Sequence, residues 1–381
     1  MLGRARAAFW LADEETAASA AQEAIALGEA LDDPGLRARG RAAASHAHMM
    51  EGSTDPARTL GEAALRDWPS GVRLPERAVH CAHMGGIHYW TGGYQRAVAC
   101  AEAGYRMGME IQSVEPILAG GANLGMALTG LGRHQEALAL LEQVVAQGLE
   151  FELVPRLTSR AMNIWAGTLR EICQWPRARQ LNEQAVEVAQ RATFGYAVSQ
   201  GRIDLLFADL ANGEIGAAER AWPALWEAAL ASKSFHRWLM PGRLTTARAQ
   251  IELGLGRTEA AAETAVDGIT AARRNGRLKY EVASRLVLGA ALAAMGRLGD
   301  AAGELRQALG DADRLGHPPS RWRAALALTR ILAAMGDDNG AATVASTAAD
   351  TVRQFADTLA EPDRATFLGA STVAEVLSVA S

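Results

Sequence analysis

The sequence predicts an all-α, right-handed superhelix of about nine antiparallel helix pairs, and three periodic features carry that prediction. Nine alanines, Ala17, Ala57, Ala97, Ala137, Ala178, Ala218, Ala261, Ala301 and Ala341, recur at spacings of 40, 40, 40, 41, 40, 43, 40 and 40 residues along the 381-residue chain. Five residues before each alanine stands a second landmark: Gly52, Gly92, Gly132, Gly213, Gly256, Gly296 and Gly336 fill seven of the nine positions, with Ala12 and Cys173 at the others. Prolines Pro34, Pro75, Pro116, Pro155, Pro241 and Pro318 mark the joins between units. A period held over the whole length is the mark of a repeat array, in which each unit packs on its neighbours and no single core limits the length.

Each unit reads as helix A, a tight turn and helix B. Glycine takes the left-handed conformation that ends helix A, and the alanine then falls in the first turn of helix B. Proline suits the first turn of the next helix A, where its missing N–H would be unpaired in any case. The units run 1–33, 34–74, 75–115, 116–154, 155–194, 195–240, 241–277, 278–317 and 318–355, followed by a capping helical segment at 356–381. In the first, helix A is short. The fourth shows the pattern clearly: Leu124, Leu128 and Leu131 lie on one face before Gly132, then Ala137, Leu141 and Val144 on one face after it. The eighth repeats it with Leu288, Leu292 and Met295, then Ala301, Leu305 and Ala308. The fifth unit replaces the turn glycine with Cys173, followed by Trp175 and Pro176. The seventh puts Arg248 and Glu252 where apolar residues are expected, after three extra residues around Phe235 to Pro241.

Composition agrees with a folded, helix-rich chain: 49% of residues are hydrophobic and 21% charged, with only 12 prolines. The formal net charge of −5, with scattered basic residues, argues against nucleic acid as a partner of this chain. Cys81, Cys100 and Cys173 are an odd number without CxxC spacing and fit a reducing cytosol. The apolar patch ending at Ala12 is too short for a signal peptide, and no stretch approaches a membrane span.

The run Leu124-Gly125, Leu128, Gly132, His134, Ala137, Leu141, Val144, and its repeat Leu288-Gly289, Leu292, Gly296, Leu298, Ala301, Leu305, Ala308, resembles the tetratricopeptide repeat. The likeness covers nearly the whole chain and departs in period, about 40 residues instead of 34. Longer units of this kind are similar to the helical C-terminal regions of bacterial signalling ATPases, the MalT-related LuxR-type regulators and the ATPase-coupled nucleotidyl cyclases. The segment Phe355 to Leu368 resembles the end of such proteins. Helix A of the first unit has barely a dozen residues and no polar capping segment, so the chain reads equally as an independent protein or as the tail of a longer one, whose upstream domain would then be a partner.

Catalytic motifs are not found. Neither Lys233 nor Lys279 follows a glycine, so there is no P-loop, and HExxH, GxSxG and a strand-borne GxGxxG are missing too. Five of the eight histidines, His46, His48, His80, His83 and His88, fall with Cys81 in two consecutive helix A segments. Such a set can hold zinc or copper. No acidic ligand joins it, however, and the expectation is buried or groove-lining histidine with no metal and no cofactor. Trp222 and Trp226 share a helix face and read as core.

By the repeat resemblance, the concave surface is lined by helix A positions Arg39, His46, Met49, Met50, Tyr89, Trp90, Met126, Thr129, Arg160, Asn163, Arg170, Glu171, Gln200, Phe207, Gln250, Arg323 and Arg330. Its N-terminal third offers sulfur and aromatic surface for apolar anchors. Its middle offers Arg160, Asn163 and Arg170 for a carboxylate or polar ligand. The function expected is non-catalytic recognition of a protein or peptide segment in bacterial signalling or transcriptional control. The alternative is a sensor whose groove takes a small-molecule effector, as the resemblance to MalT-like proteins implies.

Overall fold

A computed structural model describes residues 1–69, 71–150, 154–231, 236 and 238–380. Every regular element among them is a helix. Eighteen helices form nine consecutive A/B pairs: α1 (Leu2–Leu11) with α2 (Glu14–Ala30), α3 (Pro34–Glu51) with α4 (Thr54–Asp67), and α5 (Pro75–Trp90) with α6 (Tyr94–Glu110). There follow α7 (Val114–Gly130) with α8 (His134–Glu150), α9 (Pro155–Glu171) with α10 (Trp175–Arg191), and α11 (Gly195–Ala211) with α12 (Ile215–Ala231). The last three are α13 (Leu239–Gly254) with α14 (Thr258–Arg274), α15 (Leu278–Ala294) with α16 (Leu298–Leu315), and α17 (Pro318–Ala334) with α18 (Asp338–Ala356). Two short helices, α19 (Asp363–Gly369) and α20 (Ser371–Ser378), close the array.

The three sequence landmarks have separate mechanical roles. All nine ladder alanines are buried, none more than 7% exposed. The amide of each donates at 2.9–3.1 Å to the carbonyl four residues earlier, making the first regular bond of its helix B. Small side chains here let helix A of the same pair approach closely. The same economy of space appears opposite them: a Cβ on Gly85 would lie 2.6 Å from Ala101 Cβ, and Gly125 and Gly289 stand equally close to Leu141 and Leu305. The turn glycines all have φ between 75° and 85°, and the two exceptions obey the same rule, since Ala12 has φ 56° and Cys173 φ 62°. Backbone geometry, not residue type, is what the repeat holds constant.

The irregular seventh unit is also accounted for. Arg248 Nε donates to Glu252 Oε1 at 2.8 Å, and Glu252 accepts from Thr264 at 2.9 Å. The Arg248 guanidinium lies 5.2 Å from the Trp222 ring. Trp222 and Trp226 stack with centroids 5.2 Å apart, and Trp222 Nε1 donates to the Leu244 carbonyl at 2.8 Å. Phe235, in the stretch of extra residues before Pro241, lies outside the described residues, as does Lys233.

The superhelix winds tightly enough that the A/B turns of the second to fifth units meet chain about five units further on. Trp238 Nε1 donates to the Met49 carbonyl at 2.7 Å, and Asn275 Nδ2 to the Gly52 carbonyl at 3.1 Å. A Cβ on Gly132 would lie 2.7 Å from Pro318, and Gln174 donates to Asp363 at 2.7 Å. A groove that is open in a single turn of repeats is thereby walled in.

Candidate functional site

The walled interior holds two adjoining compartments. The outer one, about 330 Å³, is bounded by α1 through Arg6, Phe9 and Trp10, by α3 through Arg39 and His46, by α5 through His83 and Trp90, by α7 through Glu115 and Asn123, by α9 through Leu157 and Arg160, and by His236. The inner one, about 110 Å³, is bounded by Tyr89, Met126, Thr129, Asn163, Arg170, Glu171, Gln200, Asp204, Arg243, Arg277, Lys279 and Tyr280. Trp90 and Arg160 line both, so they form the boundary between them.

The short first helix A lines the outer compartment. Arg6 pairs with Glu115 on α7. Phe9 places its ring 5.5 Å from that of His46 and 6.0 Å from that of His83. His80 bonds the buried Gly61 carbonyl through Nε2 at 3.0 Å, which puts its proton there, so His80 Nδ1 accepts from His46 Nε2 at 3.3 Å. The His46 and His83 ring centroids are 3.8 Å apart, and His236 lies 5.8 Å from His83. Burial drives all four imidazoles towards the neutral form: His80 is lowered to about 4 and His236 to about 3, while His46 and His83 are pushed well down by burial and then by neighbouring histidines of the cluster. The histidines brought together are thus His46, His80, His83 and His236. No three His, Cys, Asp or Glu side chains among the described residues converge as metal ligands.

The inner compartment is polar and bonded in series. Arg160 Nη2 donates to Asn123 Oδ1 at 2.6 Å, and Asn123 Nδ2 to the Ala82 carbonyl at 2.7 Å. Asp204 accepts from Arg170 Nη1 at 2.5 Å and also from Arg243. The Phe207 ring backs both guanidiniums, 5.7 Å and 5.6 Å away. The Arg277 guanidinium lies 3.7 Å from the Tyr280 ring centroid. Burial alone would raise the Tyr280 phenol, yet Arg243, Arg277, Arg170 and Lys279 together lower it. Burial lowers Arg160 and Arg277, with only tyrosines to offset the loss of hydration.

Of the residues expected in the groove, Arg39, His46, Tyr89, Trp90, Met126, Thr129, Arg160, Asn163, Arg170, Glu171 and Gln200 line one or both compartments. Met49 and Met50 do not: both are completely buried, Met49 with Ala57, Met84 and Ile87, and Met50 with Ala47 and the residues of α13. The cross-turn contact at Trp238 covers that end of α3. Phe207 stands behind the inner wall, and Gln250 lines neither compartment. Arg323 lies against Trp322, 4.9 Å from its ring, and Arg330 is exposed and forks onto Glu375 of α20. Sequence reasoning missed Phe9 and Trp10, because the first helix A is too short to show a period. It also missed Arg243, Arg277, Lys279 and Tyr280, which return to the site only through closure of the superhelix.

No family model matches the chain, and no curated protein is similar to it at a significant level. Solved structures do match. A Rap protein complexed with Competence and Sporulation Factor is 15% identical, with a TM-score of 0.57, over 88% of this chain and 98% of that one. The Rap conjugation gene regulator of the plasmid pLS20, in complex with the Phr* peptide, is 12% identical, with a TM-score of 0.59, over 92% of this chain and 99% of that one. At these identities the likeness establishes the fold: a tetratricopeptide-like helical-repeat solenoid. No helix among the described residues is long and apolar enough to cross a membrane.

Proposed function

We propose that this chain is a regulatory binding module that holds a short peptide or protein segment inside its solenoid. The observation that carries the reading is the outer compartment, about 330 Å³, walled by helices from five successive units, with α1 along one side. Its aromatic and aliphatic lining supplies apolar anchors, and polar side chains among which are Arg39, Asn123 and Arg160 fix orientation. The match in fold to the Rap conjugation gene regulator in complex with the Phr* peptide supports a peptide occupant and a role in bacterial signalling or transcriptional control.

A second reading has its own support. The volume of the outer compartment falls within the range of small-molecule sites, which favours an effector sensor of the kind joined to signalling ATPases. Native mass spectrometry separates the two after incubation with a short-peptide library or a metabolite panel. A bound peptide lost in Trp90→Ala supports the first reading, and a bound metabolite lost in the same variant supports the second. No Trp90-dependent ligand of either kind would sink both.

A further inference from the structure

The inner compartment is positively charged in a chain whose formal net charge is −5. Five cationic side chains line it, Arg160, Arg170, Arg243, Arg277 and Lys279, against two carboxylates, Asp204 and Glu171. Both carboxylates are already engaged, Asp204 by Arg170 and Arg243, and Glu171 by Lys279, His134 and His317. Arg160 and Arg277, 8% and 6% exposed, have no carboxylate partner among the described residues. Arg277 has a long bond to the Leu239 carbonyl, 3.3 Å, and otherwise lies against the rings of Tyr280 and Trp238. Two further buried atoms at the wall lack any hydrogen-bond partner: Arg243 Nε, a donor, and Asn163 Oδ1, an acceptor.

Burying charge without a counter-charge is among the most unfavourable things a fold can do, so an excess of this size asks for an anion. We propose that the inner compartment is an oxyanion site, which takes the carboxylate or phosphate end of a ligand whose apolar body lies in the outer compartment. The inference rests on the reading of the interior as a ligand chamber and names the chemistry of its deep end. Guanidinium forks pair with planar carboxylates and with phosphates through two parallel hydrogen bonds. Arg160 and Arg277 have the free charge for this, and Arg243 Nε has a free donor. Asn163 Oδ1 accepts an N–H or O–H next to the oxyanion, as an amino acid, a peptide terminus or a hydroxy acid would offer. At about 110 Å³ the compartment admits a terminal group and not a chain. Trp90 and Arg160, on the boundary, fix where the apolar body gives way to the charged end.

Thermal unfolding of the whole chain at low ionic strength tests this, with sodium phosphate and sodium malonate as probes and sodium chloride at matched ionic strength as the control. A ligand that binds only the folded state raises its Tm, so phosphate, malonate or both should raise it by several degrees beyond chloride. The anion that acts more strongly tells whether the natural end group is phosphate or carboxylate. Gln200→Glu builds a carboxylate into the wall: it should raise the Tm without any added anion and remove most of the anion increment. Arg277→Gln should also lose the increment, and if that variant does not fold, the Gln200 substitution decides. An increment no larger than that of chloride, or a Gln200→Glu variant that is less stable than the parent and still responds to anions, overturns the proposal. A Trp90-dependent ligand found with no anion response would end this inference and leave the binding-module reading standing. An anion response with no such ligand would do the reverse.

Discussion

Glu171, at the end of α9, is paired with Lys279, at the start of α15, 108 residues later in the sequence. The contact joins the fifth unit to the eighth across the interior. The same carboxylate takes His134 Nε2 and His317 Nε2, each at 3.0 Å, from the fourth unit and from the start of α17. His317 Nδ1 accepts the Ser320 amide at the head of α17, so its proton sits on Nε2 and points to Glu171. One side chain thus holds the fourth, fifth and eighth units of the superhelix together, at the point where α17 begins.

Replacing it should open that closure. Glu171→Gln keeps the size and the hydrogen-bond acceptor but leaves Lys279 facing the other cations without its counter-charge. Removing one partner of a buried pair costs roughly 3–5 kcal/mol, and the partial exposure of Lys279 places the expected loss near the lower end, about 3 kcal/mol. Urea unfolding measures it. A loss under about 1 kcal/mol, the range of a surface pair, would mean that the contact does not hold the turns together.

The close approach of helices A and B gives a second expectation. Gly85→Ala gains about 1 kcal/mol of helix propensity. It also places a methyl 2.6 Å from Ala101 Cβ, which has no rotamer to move into. Overpacking of this kind costs roughly 1–3 kcal/mol, so the net effect should be destabilising by about 1 kcal/mol. Gly303→Ala, where nothing lies within 4 Å, should keep the propensity gain. Equal shifts in the two variants would show that α5 and α6 are free to separate.

The array itself was legible because stacking identical units requires identical small residues at identical places. Ala137 and Gly132 report a local need, set by the neighbour within the pair and the turn that precedes it. The interior was legible only in part. Arg160, Asn163 and Arg170 follow one another at spacings of 3 and 7 residues along one helix A, so their shared face could be read from spacing. Nothing in the period says that Lys279 will face Glu171, because the pitch of the superhelix is the sum of small angles between nine pairs. Met49 and Met50 went astray for the same reason. They occupy groove positions within their own unit, and Trp238 from the next turn covers them. Lys279 carried one signal that spacing does not use: it is one of two lysines in a chain whose remaining basic residues are arginine.

The turn between α1 and α2 provides a stabilising test. Ala12 has φ 56°, and its amide caps α1 through the Ala8 and Phe9 carbonyls. A Cβ in the left-handed region costs about 1 kcal/mol relative to glycine. Ala12→Gly should therefore stabilise the chain by roughly 0.5–1 kcal/mol and slow hydrogen exchange in α1. Slower exchange confined to α1 would show that α1 opens by itself, and unchanged exchange there would show that the turn does not limit its opening.

The histidine cluster sets a pH dependence whose sign follows from burial. His80 is completely buried, and its folded value of about 4 lies below the ordinary 6.5 of an exposed imidazole. His236 is lowered further, to about 3. At pH 7 both folded and unfolded chains carry these rings neutral. As the pH falls through 6.5 the unfolded chain takes up protons that the folded chain refuses, so stability declines until the folded values are reached. Between pH 6.5 and 5 His80 alone should account for about 2 kcal/mol, and His236 for a similar amount, in a window above most carboxylate titrations. His46 and His83 add to the slope in the same direction, and Arg6 and Arg160 strengthen it by repelling protons from the cluster. His80→Gln keeps a donor for the Gly61 carbonyl and does not titrate. Urea unfolding at pH 7, 6 and 5 should show the variant losing about 2 kcal/mol less than the parent over that range. Parallel profiles would mean that His80 takes up its proton as readily in the folded chain as in the unfolded one, and burial would then not set its titration.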